Sequence, residues 1–287
     1  MSHYHHHHIN LKSIDNIKKA LIINFSLTVL EFIVGLYSNS MAIISNGIHD
    51  LGDSLSLSFS IFFEKLGNKD KNSKFTYGYR RLSLLSALIN GIILTIGLII
   101  VIYKSIIKIF SPEELKYTIV AGFAIIGILA NFFGTFILSR GSTLNEKMLS
   151  WHFIEDIFGW IAIFIMGVIN HYYYLPILDP LLSLIFSVIL LKNVYKVLKE
   201  IFTVFLQAVP STIDYEKLKN EILKLDDSVE KIEDFHIWSM DGHYNVATLK
   251  IKLKNEVDSK QKIDELKEKI RKLLIDNKIK EINIEVG

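Results

Sequence analysis

Two apolar stretches of the chain carry the same polar insertion. The first runs from about Met41 to Phe63 and holds His49-x-x-x-Asp53; the second surrounds Trp151 and holds His152-x-x-x-Asp156. Each stretch is about the ~20 apolar residues that a helix needs to cross a bilayer. On a helix, residues four apart lie one above the other on the same face, so each stretch presents an imidazole and a carboxylate in one direction. Ionisable side chains at membrane depth are expensive and mark a site or a pathway. If the two helices face each other, their two nitrogens and two carboxylates form a tetrahedral cage suited to a divalent transition metal. Asn46 shares the face of His49 and is a candidate supporting group. Asp50 turns about 100° away from its neighbour His49 on a helix and is left out of the ligand set.

Around these two stretches the sequence predicts a helical membrane domain of six crossings, residues 17–208. The first span covers about Ala20 to Tyr37, with Asn24 and Glu31 seven residues apart on one face. Glu31 is either a pathway group or an interhelical partner. Ser54, Ser56, Ser58 and Ser60 allow neighbouring helices to approach the second span closely. The third span runs from about Leu82 to Phe110, the fourth from Tyr117 to Leu138, and the sixth opens at Asp179-Pro180 and ends near Leu206. Lys69, Lys71, Lys74, Arg80 and Arg81, with Arg140 to Lys147, set one side of the membrane as cytoplasmic. Six crossings then put both termini on that side, and the cell (plasma) membrane is the simplest location. The His-containing start, residues 1–16, is either a vector tag or a native metal-catching tail and takes no part in the fold reading.

From Pro210 the chain turns charged and soluble in character. Asp214–Leu225 and Ile263–Ile275 have helical periodicity, and Val229–Trp238, Tyr244–Leu253 and Ile279–Val286 alternate as strands. Asp241-Gly242 marks a hairpin between the first two strands. The order α-β-β-α-β predicts a small α+β domain over residues 209–287.

The composition excludes several classes. Net charge is only +2, which gives no case for nucleic-acid binding. The absence of cysteine removes disulfides, thiolate metal sites and cysteine nucleophiles, and with only five methionines the chain lacks the soft ligands of a copper(I) protein. Four protein ligands would close a zinc shell, whereas catalytic zinc keeps a position open for water. With no His-Glu-x-x-His helix either, the chain does not read as an enzyme.

The paired His-x-x-x-Asp motifs coincide with Tyr77-Gly78-Tyr79-Arg80-Arg81 before the third span, Asp179-Pro180 at the sixth and His236-Ile237-Trp238 in the soluble part. With these, the chain from about Ile17 to its end resembles the cation diffusion facilitators, proton-coupled exporters of divalent metals. The resemblance implies a six-helix transmembrane domain, a cytoplasmic metallochaperone-like (ferredoxin-like) domain, and a homodimer joined largely through the soluble domains. It carries the transport-site ligands over to His49, Asp53, His152 and Asp156 and implies Zn2+ as the transported ion, exchanged for protons, with no organic cofactor. Cd2+, Co2+, Fe2+ and Mn2+ are the alternative substrates on the same architecture, and a membrane metal sensor without transport is the alternative activity.

The chain departs from the family pattern in three places. The loop between the second and third spans has no His, Leu82 and Ser83 stand where an acidic residue is common, and Thr248 stands near a position that often holds a second soluble-domain His. His236, His243 and Glu285 remain the candidates for a regulatory metal there.

Overall fold

The computed structural model describes residues 11–67, 72–139, 144–254 and 260–287. Lys69, Lys71 and Arg140 of the basic loops, and residues 1–10 of the His-containing tail, lie outside that set. Six long helices come first: α1 (Leu11–Ser38), α2 (Met41–Gly67), α3 (Leu82–Phe110), α4 (Tyr117–Ser139), α5 (Leu144–Tyr173) and α6 (Leu178–Phe205). There follow α7 (Tyr215–Lys224), β1 (Val229–Ser239), β2 (Asn245–Leu253), α8 (Lys260–Asp276) and β3 (Ile279–Val286). The chain forms two compact units: residues up to Ile61 with Ile89–Lys196, and Phe62–Leu88 with Val197–Gly287.

Among the described residues, five helices are long and apolar enough to cross a membrane: α1 from Asn16, α3, α4, α5 from Leu149, and α6. The remaining long helix, α2, has the length but carries His49, Asp50, Asp53, Glu64 and Lys65. Large apolar side chains such as Leu36, Ile96, Phe133 and Phe158 face outward, as a lipid solvent allows.

Glycines on the inward faces let large side chains of neighbouring helices come close. On α4 the buried stripe is Val120, Phe123, Ala124, Gly127, Asn131, Gly134 and Leu138, the three-and-four spacing of one helix face. Trp160 of α5 lies over Gly127, where a Cβ would come within 2.2 Å of the indole, and Phe153 lies over Gly134 in the same way at 2.5 Å. The Trp160 ring also meets Phe123 edge-on, with centroids 5.5 Å apart. Leu94 of α3 lies over Gly52 of α2, and Asn90 Nδ2 donates to the Gly52 carbonyl at 3.1 Å and to Ser56 Oγ at 2.6 Å. Hydroxyl pairs join Ser45 to Ser187 and Ser105 to Ser183. Without a hydrophobic drive between helices in lipid, such close backbone approach and polar pairing hold a bundle together.

In the second unit, β2 is the central strand, antiparallel to β1 and parallel to β3. The parallel pair is connected through α8, as a parallel pair requires a crossover. Ile237, Leu249 and Ile251 of the sheet pack with Leu218 and Ile222 of α7 and Leu266, Ile270 and Leu274 of α8 in one core. Asp214 caps α7 by accepting the Lys217 N–H at 3.0 Å. The β1–β2 turn is closed by Asp241, which accepts from the backbone of His243 and Tyr244, with Gly242 at φ +90°. The α-β-β-α-β order matches the sequence expectation, with element ends shifted by at most three residues.

The segment ahead of α3 packs on that turn. Arg80 stands 4.2 Å over the Tyr244 ring and 3.6 Å from the Asp241 carboxylate. Tyr244 donates its hydroxyl to Glu281 at 3.1 Å, and partial burial together with that carboxylate raises the phenol pKa.

Candidate metal centre

α2 and α5 bring their polar insertions together. Asp53 Oδ2 lies 3.5 Å from His49 Nδ1 on its own helix and 3.0 Å from His152 Nε2 on the other. Asp156 lies 3.7 Å from His49 Nε2 through one oxygen and 3.7 Å from His152 Nε2 through the other. The imidazole rings stand edge to face with centroids 5.6 Å apart. The four residues therefore form a closed ring of contacts in which each carboxylate touches both imidazoles. A tetrahedral zinc ion with bonds of about 2.0–2.1 Å holds its ligand atoms about 3.3–3.4 Å apart; the two Asp53 contacts are near that scale, whereas Asp156 reaches His49 through the opposite ring nitrogen, Nε2.

The ring is not uniform. The His49, Asp53 and His152 side chains are 26–30% exposed, while Asp156 is 2% exposed. The ligand atoms fall into two overlapping triplets, each within 4.8 Å: His49, Asp53 and His152, and His49, Asp50 and Asp156. Asp50 falls outside the ligand set read from the sequence because that reading takes one helix face in isolation. α1 and α5 both close on the side of α2 to which Asp50 turns, and it is fully buried there.

The other candidates separate into two groups. Glu31 and Asn46 meet: Asn46 Nδ2 donates to Glu31 Oε1 at 3.1 Å, and both are buried. Gly47 permits this approach, since a Cβ there would stand 3.2 Å from Glu31 Oε2. Asn24 supports α2 from the same face of α1, donating to the Asp50 carbonyl and to Ser54 Oγ. In the small domain, His236 is exposed in mid-strand opposite Thr248, His243 is exposed in the turn, and Glu285 pairs with Lys250 at 3.8 Å. Among the described residues these three belong to no group of metal-type ligands.

A second relationship escaped the sequence reading. Asp179 both opens α6 and caps α2: its carboxylate accepts from Ser40 Oγ at 2.5 Å, from the Met41 N–H at 2.7 Å and from the Ala42 N–H at 3.3 Å.

The chain is similar to known proteins. The family model described as the cation efflux transmembrane domain matches residues 17–206. The zinc transporter ZitB of Yersinia pseudotuberculosis is 30% identical over 82% of this chain and 77% of its own length. A cadmium, cobalt and zinc/H(+)-K(+) antiporter of Bacillus velezensis is 29% identical over 80% of this chain and 76% of its own. The metal cation efflux system protein CzcD of Cupriavidus metallidurans is 24% identical over 91% and 82%. The chain therefore belongs to the cation efflux family, the cation diffusion facilitators, and is a multi-pass membrane protein of divalent metal cation efflux rather than an enzyme.

Proposed function

We propose that the chain is a zinc/proton antiporter that moves Zn2+ out of the cytoplasm through a four-ligand site of His49, Asp53, His152 and Asp156. The observation that carries this reading is the ring of 3.0–3.7 Å contacts joining those four residues across α2 and α5. Imidazole and carboxylate bind metal only when deprotonated, so metal and protons compete for the same groups, which is the basis of exchange. Alternating exposure of a site between helices then couples the two fluxes. In this reading α2 is the sixth crossing: its polar side chains turn toward α1 and α5, so its low apolarity reflects the site it lines. Residues 17–208 form the transport domain. Residues 209–287 form a cytoplasmic domain through which two copies pair, and both termini are cytoplasmic in a plasma membrane.

A broader substrate range is the second reading, supported by the relative named for cadmium, cobalt and zinc. A mixed nitrogen–oxygen cage accepts all three ions, and Fe2+ and Mn2+ suit it less as nitrogen content rises.

The test is flux into proteoliposomes loaded with a zinc dye and a pH dye, run with Zn2+, Cd2+, Co2+, Fe2+ and Mn2+. Zn2+ entry coupled to opposite proton movement, and lost in Asp53→Ala, is the expected result. Robust Zn2+ flux by His49→Ala or Asp156→Ala overturns the ligand assignment.

A further inference from the structure

The four-residue set leaves Asp50 unused. Its side chain is fully buried, and neither carboxylate oxygen receives a hydrogen bond from an N–H or hydroxyl among the described residues. Alongside it, within hydrogen-bond reach, lies a second buried acid, Glu31, and burying the two together is costly unless a shared proton or a metal cation offsets their charge. A metal cation is within geometric reach, because Asp50 forms a ligand triplet with His49 and Asp156 inside a 4.8 Å limit.

The two triplets differ in access. His49, Asp53 and His152 are partly exposed, whereas Asp50 and Asp156 are closed off. His49 belongs to both, with Nδ1 toward Asp53 and Nε2 toward Asp156. Its two nitrogens thus face two different acid groups on opposite sides of one ring. Whichever nitrogen holds a metal, the other is placed to donate its N–H to a carboxylate, the arrangement that orients metal-bound histidines.

We propose that Asp50, His49 and Asp156 form a second, occluded position for the same divalent cation, which the ion occupies in alternation with the partly exposed position at Asp53 and His152. This inference rests on the transport reading above and extends it. Sharing His49 makes the two positions exclusive, so one ion is bound at a time and is passed inward along the ring. Glu31 and Asn46, joined by their hydrogen bond, form the wall behind Asp50.

Co2+ titration of the purified full-length protein, followed by its visible absorption bands, tests this. Asp53→Asn is expected to retain one equivalent of Co2+, bound more weakly and with altered bands. Asp53→Asn/Asp50→Asn is expected to lose about tenfold or more of the remaining affinity. Equal binding by these two variants, or no binding by Asp53→Asn, overturns the occluded position. Asp50→Asn alone leaves the partly exposed triplet intact. It is expected to keep equilibrium Co2+ binding while Zn2+ flux in proteoliposomes falls about tenfold or more; unchanged flux overturns the proposal. Wild-type protein that neither binds Co2+ nor moves Zn2+ defeats the transport reading itself, an outcome separable from any effect of Asp50.

Discussion

The Asp179 carboxylate on α6 accepts the backbone N–H of Met41 on α2 at 2.7 Å. The first N–H groups of a helix have no partner within it, and the positive end of its dipole favours an anion. Here Ser40 caps the Ile43 N–H in the ordinary way, and Asp179 takes Met41, Ala42 and the Ser40 hydroxyl from across the bundle. The start of the helix that carries His49 and Asp53 is thereby fixed in rotation and height by a different helix. Asp179→Ala leaves those buried donors unmet, and the protein should lose about 1–3 kcal/mol of stability. Asp179→Asn keeps an acceptor and should lose less. Thermal unfolding in detergent checks the order, and an Asp179→Ala protein with wild-type Tm would show that the cap is dispensable.

Gly127 and Gly122 lie on the same helix and give opposite expectations. A Cβ at Gly127 meets the Trp160 indole at 2.2 Å, while a Cβ at Gly122 meets nothing within 4 Å. Trp160 is fully buried and cannot yield without moving α5, which also carries His152 and Asp156. Gly127→Ala should cost about 1–3 kcal/mol through overpacking, and Zn2+ affinity should fall with the displacement of α5. Gly122→Ala should leave Tm and affinity unchanged. Isothermal titration and thermal unfolding on the two variants separate the cases.

The difference between what the sequence disclosed and what it concealed follows from periodicity. His49 with Asp53 and His152 with Asp156 are patterns along single helices, and spacing alone reveals them. The α-β-β-α-β order was legible for the same reason, since each element repeats its apolar residues with its own period. Asp50 and the Asp179–Met41 cap depend on which helix stands against which, and nothing in the spacing of one helix encodes that. The reading of α2 as a crossing rests on its length and on the polar pair it carries. Its polar residues weaken the apolar signal of a membrane span because they are committed to neighbours, as Asn46 is to Glu31.

The small domain carries a pH-dependent contact outside the membrane. Asp226, just past α7, accepts the Ser228 N–H at 3.0 Å and lies 3.3 Å from Lys269 on α8. The Ser228 hydrogen bonds and the lysine hold its pKa below the usual carboxylate value. A depressed pKa means that the stabilisation is fully present above about pH 3.9, the unfolded-chain value, and is lost as pH falls through the lower folded value. Asp226→Asn should therefore lower Tm at pH 7, modestly because the pair is partly exposed and screened. The gap from wild type should close as pH drops toward 3. A gap that stays constant with pH would assign the effect to packing rather than to charge.

Substitution at His49 tests whether ligand chemistry is the filter for the ion. In the proposed site, Nδ1 and Nε2 of His49 stand 3.5 Å and 3.7 Å from the carboxylates of Asp53 and Asp156. His49→Asp removes one of the two imidazoles and adds a third carboxylate to the ring. Nitrogen ligands favour Zn2+ over Mn2+, whereas carboxylate oxygen suits the harder ion. The variant should therefore lose Zn2+ flux relative to Mn2+ flux, with the ratio of the two falling by about tenfold, or ~1.4 kcal/mol of differential binding. The added negative charge also raises the demand for a cation in the buried ring, so binding of divalent ions as a class should persist. Competing Zn2+ and Mn2+ uptake into the same proteoliposomes gives the ratio directly. If that ratio is unchanged, selectivity comes from the shape or dehydration of the route through the bundle, and the nitrogen content of the ring is not what chooses the ion.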